Sequence, residues 1–461
     1  MRLLPQTLLT LLACGLCSCA IADPVIDSET SEDLSRPNII VIMADDLGWG
    51  DIGLNGADLI NTPNIDRIGL EGVQLSSFYA GANVCTPSRA ALLTGRYPIR
   101  SSMQHVVHPH SQFGLPQSEI TIAEVLKDAG YATAMIGKWH LGHSDEFWPT
   151  AHGFESFYGV AYSNDMQPFD LFDGKTVIES PVDQTALTEN YAEQAVLFIQ
   201  EHQEEPFFLY YAETFPHIPL FVPDRATGQS EAGHYGDVVE HLDWGIGRIL
   251  EALDETGLAD NTLILVTSDN GPWFEGDSGP YRDRKGETYE GGYRVPFLAR
   301  WPARIDPGVE SSAMTMSIDL LPTLAGIAGA TVPSDRPIDG RNILSVMQGS
   351  DDTPHEQLYF FNGNDVAAVR NEQFKLVLNA YYKSFYVPFE QFGGVLLFDL
   401  EKDPQERFSY VREHPDIVAD LKSRVDQMRS EIAGKVFEPI SPFAPRSPDA
   451  PIGPQLTPES E

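Results

Sequence analysis

The chain has 461 residues, enough to bury a large core and more than one domain usually needs, and its composition is that of a globular protein. Its formal charge of −37, from 67 acidic against 30 basic side chains, excludes a general affinity for nucleic acid or anionic membranes. An anionic substrate would be repelled as well, so binding one demands basic groups concentrated at one site. In chain order, Arg2, the apolar run Leu8 to Leu16 and the small residues around Ala22 predict a secretory signal peptide over residues 1–22, and with it export to the periplasm or the exterior. That run is too short to span a membrane, and no later segment reads as transmembrane. A lipid-anchoring cut at Cys14 or Cys19 is the alternative, giving a surface-anchored form. Residues 23–36 are acidic and polar, a flexible leader.

The fold is expected to begin at residue 37, with a catalytic domain over residues 37–350. Asn38 to Met43 is a continuous apolar, β-branched run, the pattern of a strand buried on both faces. Similar runs at Tyr131 to Ile136, Phe207 to Tyr211 and Thr262 to Thr267 alternate with helical stretches at Thr121 to Ala129, Asn190 to His202 and Tyr235 to Thr256. This alternation predicts an α/β fold: a large domain with a mainly parallel central sheet flanked by helices. Each strand-like run is followed at once by polar residues: Asp45-Asp46, Lys138-Trp139-His140, Thr214 to His217, and Asp269-Asn270. Ligands of open α/β sheets bind beyond the carboxyl ends of the strands, so these four segments are expected to converge on one rim.

After residue 350 the pattern changes. Strand-like pieces at Leu358 to Phe361, Val366 to Val369, Lys375 to Leu378 and Val395 to Asp399, then a helical piece from Pro415 to Ile432, predict a small C-terminal subdomain over residues 351–438, an antiparallel sheet with a closing helix. Prolines crowd residues 439–461, an extended tail.

Cys85 is the only cysteine beyond residue 19, so it has no disulfide partner in a mature chain. A free cysteine is commonly a buried packing residue. Here Pro87 and Ser88 suit the first turn of a helix through Ala90 to Leu93, which puts Cys85 at the positive helix end beside Arg89, a place suited to an anion. Asp45, Asp46, Asp269 and Asn270 offer only oxygen ligands, which favour Ca²⁺ or Mg²⁺ over zinc. Lys138 and His140, two apart in an extended segment, point to one side. Lys285 stands beside glycines that let the backbone wrap closely around a ligand.

The segment Cys85-Thr86-Pro87-Ser88-Arg89, continued to Thr94-Gly95-Arg96, resembles the type I, formylglycine-dependent sulfatases of the alkaline phosphatase superfamily. Gly137-Lys138-Trp139-His140-Leu141-Gly142 and the run from Arg284 through Lys285 to Gly292 match the same family, in its order. The resemblance implies that a formylglycine-generating enzyme oxidises Cys85 to Cα-formylglycine. It also implies that Asp45, Asp46, Asp269, Asn270 and the modified Cys85 hold one Ca²⁺ per chain. Hydrated formylglycine is a geminal diol: one hydroxyl, held by Ca²⁺ and Arg89, would attack sulfur, and the other would give its proton to His140 as the sulfo-enzyme collapses. Lys138 and Lys285 would stabilise the transferring group, His217 would protonate the leaving oxygen, and Ser163 would lie near the sulfate. Leu397-Phe398-Asp399-Leu400 with Asp403-Pro404 resembles a C-terminal signature of the family, although its usual asparagine is missing at Phe408-Ser409-Tyr410.

The expected function is hydrolysis of sulfate esters on a sulfated carbohydrate. His105, His108, His110, Trp273, Tyr281, Arg282, Arg284 and the Asn362 to Asp365 turn are candidates to line a sugar cleft, with His105 and Trp273 foremost. Two other readings stand beside it. A phosphomonoester or phosphonate hydrolase on the same scaffold would prefer two transition metals and more histidine ligands, and a sulfated-glycan binding protein would need no catalytic set.

Overall fold

The computed structural model describes residues 36–382 and 385–434; the expected signal peptide, the leader up to residue 35 and the tail at 439–461 lie outside the described residues. Ten strands form one mixed sheet, in the order Val309–Ser311, Val73–Leu75, Phe297–Arg300, Thr262–Ser268, Asn38–Ala44, Phe207–Ala212, Ala132–Lys138, Ser156–Val160, Leu171–Asp173 and Thr176–Glu179. The five central strands, from Thr262–Ser268 to Ser156–Val160, are parallel. Antiparallel pairings begin on either side of them. The four expected parallel strands are therefore neighbours. The fifth, Ser156–Val160, was not read from the sequence because Ser156 and Gly159 interrupt its apolar run.

The sheet is sandwiched as its strand patterns require. Ile39, Val41 and Met43 point into one core, shared with Leu92 and Leu93 of the helix Cys85–Thr94 and with Leu320, Leu321 and Leu324 of Leu320–Ile327. Ile40, Ile42 and Ala44 point into the other, against the helices Leu187–Glu201 and Gly233–Thr256. Each fully buried Ile or Leu contributes about 1.5–3 kcal/mol of transfer free energy, so both faces reinforce the arrangement. Among the described residues no helix is long and apolar enough to cross a membrane.

Four strands, Leu358–Asn362, Asp365–Arg370, Phe374–Val377 and Leu396–Asp399, form a separate antiparallel sheet, and Pro415–Glu431 closes it. The expected C-terminal elements are thus in place. A hairpin of Ala380–Tyr382 and Phe385–Val387 was not anticipated. The small sheet has a core in common with the large part: Phe360, Leu376 and Leu397 share an apolar cluster with Tyr79, Ala91, Tyr97 and Ile99.

Candidate active site

The helix Cys85–Thr94 is buried along its whole length, so each polar group on it must find a partner. Thr94 Oγ1 donates to the Ala90 carbonyl (2.7 Å) and Thr86 Oγ1 to the His140 carbonyl (2.8 Å). Arg89 donates Nη1 to the Lys138 carbonyl (2.8 Å) and both Nε (3.0 Å) and Nη2 (2.8 Å) to Asp269 Oδ2. Gly95, at φ 67°, ends the helix in the left-handed region. Cys85 is its first residue, buried at the terminus where the first-turn amides lack intrahelical partners.

Around Cys85 the carboxyl ends of the parallel strands meet. Lys138 Nζ, at the end of its strand, binds Asp45 Oδ2 and Ser163 Oγ, the latter at 2.5 Å. Lys285 Nζ lies 2.6 Å from Asp46 Oδ1, 2.8 Å from Asp46 Oδ2 and 3.4 Å from Cys85 Sγ. Asn270 Nδ2 donates to Asp46 Oδ1 (2.7 Å), and Asp269 Oδ1 accepts from the Asp46 amide (3.2 Å). Asp46 (φ 67°) and His140 (φ 59°) hold left-handed backbone that a non-glycine residue adopts at a cost, as is common at functional sites. Asp45, Asp46, Cys85 and His217 bring one ligand atom each to within 4.8 Å of one another.

Three carboxylates, Asp45, Asp46 and Asp269, thus face three cations, Lys138, Lys285 and Arg89. Burial alone would raise the Asp45 carboxyl, yet Lys138, His217 and Arg89 hold it well below its ordinary value. Burial raises the Cys85 thiol to about 12, so unmodified Cys85 is a poor thiolate nucleophile. The donor set fits a hard divalent cation. Asp45 Oδ1 and Asn270 Oδ1 are buried and accept no hydrogen bond, which is costly for isolated oxygens and natural for metal ligands. The sequence placed Asp269 and Asn270 in that set and left His217 out. In this structure Asp269 is engaged by Arg89, and His217 Nε2 stands 3.8 Å from Asp46 Oδ2.

The two histidines are held differently. His140 Nε2 faces the Val107 carbonyl at 2.9 Å, so it carries the proton, and Nδ1, buried without a hydrogen-bond partner, keeps its lone pair. Burial, then Lys138 and Arg89, holds its pKa well below the ordinary histidine value. His217 is tied the other way round: Nδ1 faces Asn164 Oδ1 (3.0 Å) and the Ile218 carbonyl (2.6 Å), so Nδ1 carries a proton and Nε2 faces the cluster. Asn164 is itself fixed by donating Nδ2 to the Pro219 carbonyl at 2.8 Å. Asn164 and Val107 are supports that sequence reasoning missed. Asn164 follows Ser163 directly, and that position was the one available signal.

The sugar-cleft candidates lie on neighbouring loops. Trp273 follows Pro272, whose carbonyl accepts from the Lys285 amide at 3.0 Å. Phe274 packs against Trp273 and beneath the Arg284 guanidinium, 4.6 Å from the ring centre. His105 is packed against Gly363, and Gln104 donates to Asn364 Oδ1 at 2.7 Å, so the loop after the Cys85 helix meets the turn of the small sheet. His108 and His110 stack on each other at 5.8 Å.

Residues 37–330 match the family model for sulfatases, and residues 276–431 match that for the C-terminal part of N-sulphoglucosamine sulphohydrolase. With that match and the relatives below, the chain belongs to the sulfatase family and is a sulfatase, an enzyme that hydrolyses sulfate esters. It is 33% identical to arylsulfatase G of Rattus norvegicus, over 98% of this chain and 97% of that one. It is 36% identical to N-acetylgalactosamine-6-sulfatase of Homo sapiens, over 81% of each. Among solved structures, Ps i-CgsB in complex with a neocarrahexaose superimposes with a TM-score of 0.77 at 29% identity, covering 88% of this chain and 94% of the other.

Proposed function

We propose that this sulfatase removes sulfate from a sulfated carbohydrate through residue 85 in its formylglycine form. The observation that carries the reading is the placement of Cys85 Sγ at a buried helix N-terminus, 3.4 Å from Lys285 Nζ and grouped with Asp45, Asp46 and His217. Two relatives point to sugars by their names, one an N-acetylgalactosamine-6-sulfatase and one in complex with a neocarrahexaose.

Asp45, Asp46 and Asn270, with Asp269 beside them and His217 facing them, would hold one Ca²⁺, and that cation would supply Lewis-acid polarisation of the sulfate and of the residue-85 hydroxyl. Formylglycine at position 85, once hydrated, would supply the nucleophilic hydroxyl. With the three buried carboxylates matched by Arg89, Lys138 and Lys285, a divalent ion would give the site a net positive charge in an otherwise acidic chain. This local excess is what an anionic sulfate ester requires. Arg89 orients residue 85, while Lys138, Ser163 and Lys285 stand where charge develops on the sulfuryl oxygens. His140, neutral with a free Nδ1 lone pair, is suited to take a proton from residue 85. His217 Nε2 would deliver one to the leaving oxygen from the doubly protonated ring. Contacts of His105 and Trp273 with the sugar complete the reading, as does export directed by residues 1–22 and conversion of Cys85 by a formylglycine-generating enzyme.

The test is Cys85→Ala, and Cys85→Ser in a host that modifies only cysteine. Both are expected to fold and to release no sulfate from 4-nitrophenyl sulfate, and the parent's peptide containing residue 85 should carry the mass of formylglycine. Full turnover by either variant would overturn the reading.

A further inference from the structure

Lys285 sits on an excursion of the chain whose two ends come back together, the Gly291 amide donating to the Arg282 carbonyl at 2.7 Å. The closure is tight. A Cβ on Gly291 would lie 2.2 Å from the Asp283 carbonyl oxygen, so only glycine allows the approach. What fixes this excursion comes from the far end of the sequence. The strand Leu396–Asp399 of the small sheet runs into a turn in which the Asp403 carboxylate accepts from the amides of Arg407 (2.6 Å) and Phe408 (2.7 Å). That turn holds Glu406 at φ 51° and aims it inward, fully buried.

Glu406 then makes two contacts with the excursion, one at each end. Its backbone carbonyl accepts from Arg282 Nη1 at 2.9 Å, and its carboxylate Oε2 accepts from the Glu290 amide at 2.6 Å. Both contacts are braced. The Arg282 guanidinium lies over the Tyr289 ring at 3.7 Å. Lys375, on the central strand Phe374–Val377, bridges Glu290 Oε1 (3.0 Å) and Glu406 Oε1 (3.2 Å). Glu290 Oε2 accepts from Tyr79 Oη at 2.5 Å and from Arg294 Nη1 at 3.2 Å. A buried acid that bonds a backbone amide and faces a buried lysine has few alternative arrangements, because leaving any member unpaired in this low-dielectric setting is costly.

We infer that Glu406 is a positioning residue for catalysis: by gripping Arg282 and the Glu290 amide at once, it fixes the excursion that presents Lys285 to Asp46 and Cys85. This gives the Asp403-Pro404-Gln405-Glu406 segment of the small sheet a place in the active site that it does not touch. The inference rests on the proposed action of Lys285 at the sulfate.

A double-mutant cycle tests it, with kcat and KM for 4-nitrophenyl sulfate measured on protein whose formylglycine content is verified by mass. Glu406→Ala is expected to lower kcat/KM at least tenfold in the parent and less than twofold in a Lys285→Ala background, while shifting the melting temperature by the same amount in both. Glu406→Gln, whose amide oxygen can still accept from the Glu290 amide but whose amide nitrogen then faces Lys375 Nζ, should recover only part of the loss. A merely structural role would produce equal fold losses in both backgrounds, and that result would overturn the inference while leaving the role of Lys285 intact. An unchanged kcat/KM in Lys285→Ala alone would overturn the Lys285 reading and this inference with it. If Glu406→Ala does not fold, Arg282→Met, which releases the other end, passes through the same cycle with the same expected non-additivity, and additivity there overturns the proposal.

Discussion

His140 and His217 are both buried beside cations, yet the acceptors fixed on their opposite ring nitrogens give them opposite aptitudes. Burial, then Lys285, lowers His217, whereas Asp46 and Asp45 oppose that shift and favour the protonated ring a general acid needs. If His217 protonates the leaving oxygen, its loss matters most where the leaving group is basic. His217→Ala should therefore lose about tenfold more kcat/KM on phenyl sulfate than on 4-nitrophenyl sulfate, whose phenolate departs unaided. Equal losses on the two esters would reassign the proton donor. Glu213 offers a residue-scale test of stability. Burial raises its carboxyl from 4.5 to about 7, although Tyr211 Oη (2.9 Å) and the Thr214 amide (3.1 Å) donate to it. Because the folded value is the higher one, its stabilising contribution is full below the unfolded value and is lost as pH rises through the folded value. Relative to the parent, Glu213→Gln should gain at most about 3 kcal/mol between pH 4.5 and pH 7, levelling off above it. Denaturant titrations of both proteins at pH 5, 6, 7 and 8 measure this, and a gap that does not change with pH refutes it.

At the scale of elements, the site depends on how strands end. The strand Ala132–Lys138 runs extended until Gly137, where φ is 110°, and a Cβ there would lie 1.9 Å from the Ala212 carbonyl oxygen of the neighbouring strand. This left-handed residue directly precedes Lys138, whose side chain reaches Asp45. Gly137→Ala is expected to cost roughly 2 kcal/mol or more, through the forbidden φ and the clash together. It should also depress kcat by misplacing Lys138. Thermal melts and assays on one preparation check both, and a variant with parental melting temperature and kcat would show that glycine is dispensable at 137.

At the scale of the whole molecule, the candidate active site joins segments that no single element holds: Asp45-Asp46, the Cys85 helix, Lys138, His217, Asp269-Asn270 and Lys285. The cation expected there ties the ends of several strands together. Removing it would leave Asn270 Oδ1 without a hydrogen-bond partner and Asp45 Oδ1 with only the Arg89 guanidinium, 3.6 Å away, to compensate it. Chelation should therefore lower activity and melting temperature together, and Ca²⁺ should restore both, with the midpoint rising as its concentration exceeds Kd. A metal-free preparation with full activity and an unchanged melt would exclude the cation.

The sequence by itself determined the parallel centre of the sheet, because strands buried on both faces must be apolar throughout and so stand out as runs such as Asn38 to Met43. It also determined the Cys85 segment proposed to carry the nucleophile and the polar residues at the strand ends, since residue type and motif spacing are local properties. The strand Ser156–Val160, interrupted by Ser156 and Gly159, was not legible, nor was the hairpin at Ala380–Tyr382 and Phe385–Val387. Only the tertiary structure decided which cation pairs with which carboxylate, that Asn164 and Val107 fix the two histidines, and that Glu406 reaches Arg282 and Glu290. The reason is physical. These are directional contacts between groups up to 239 residues apart, and their geometry exists only once the strands are in register.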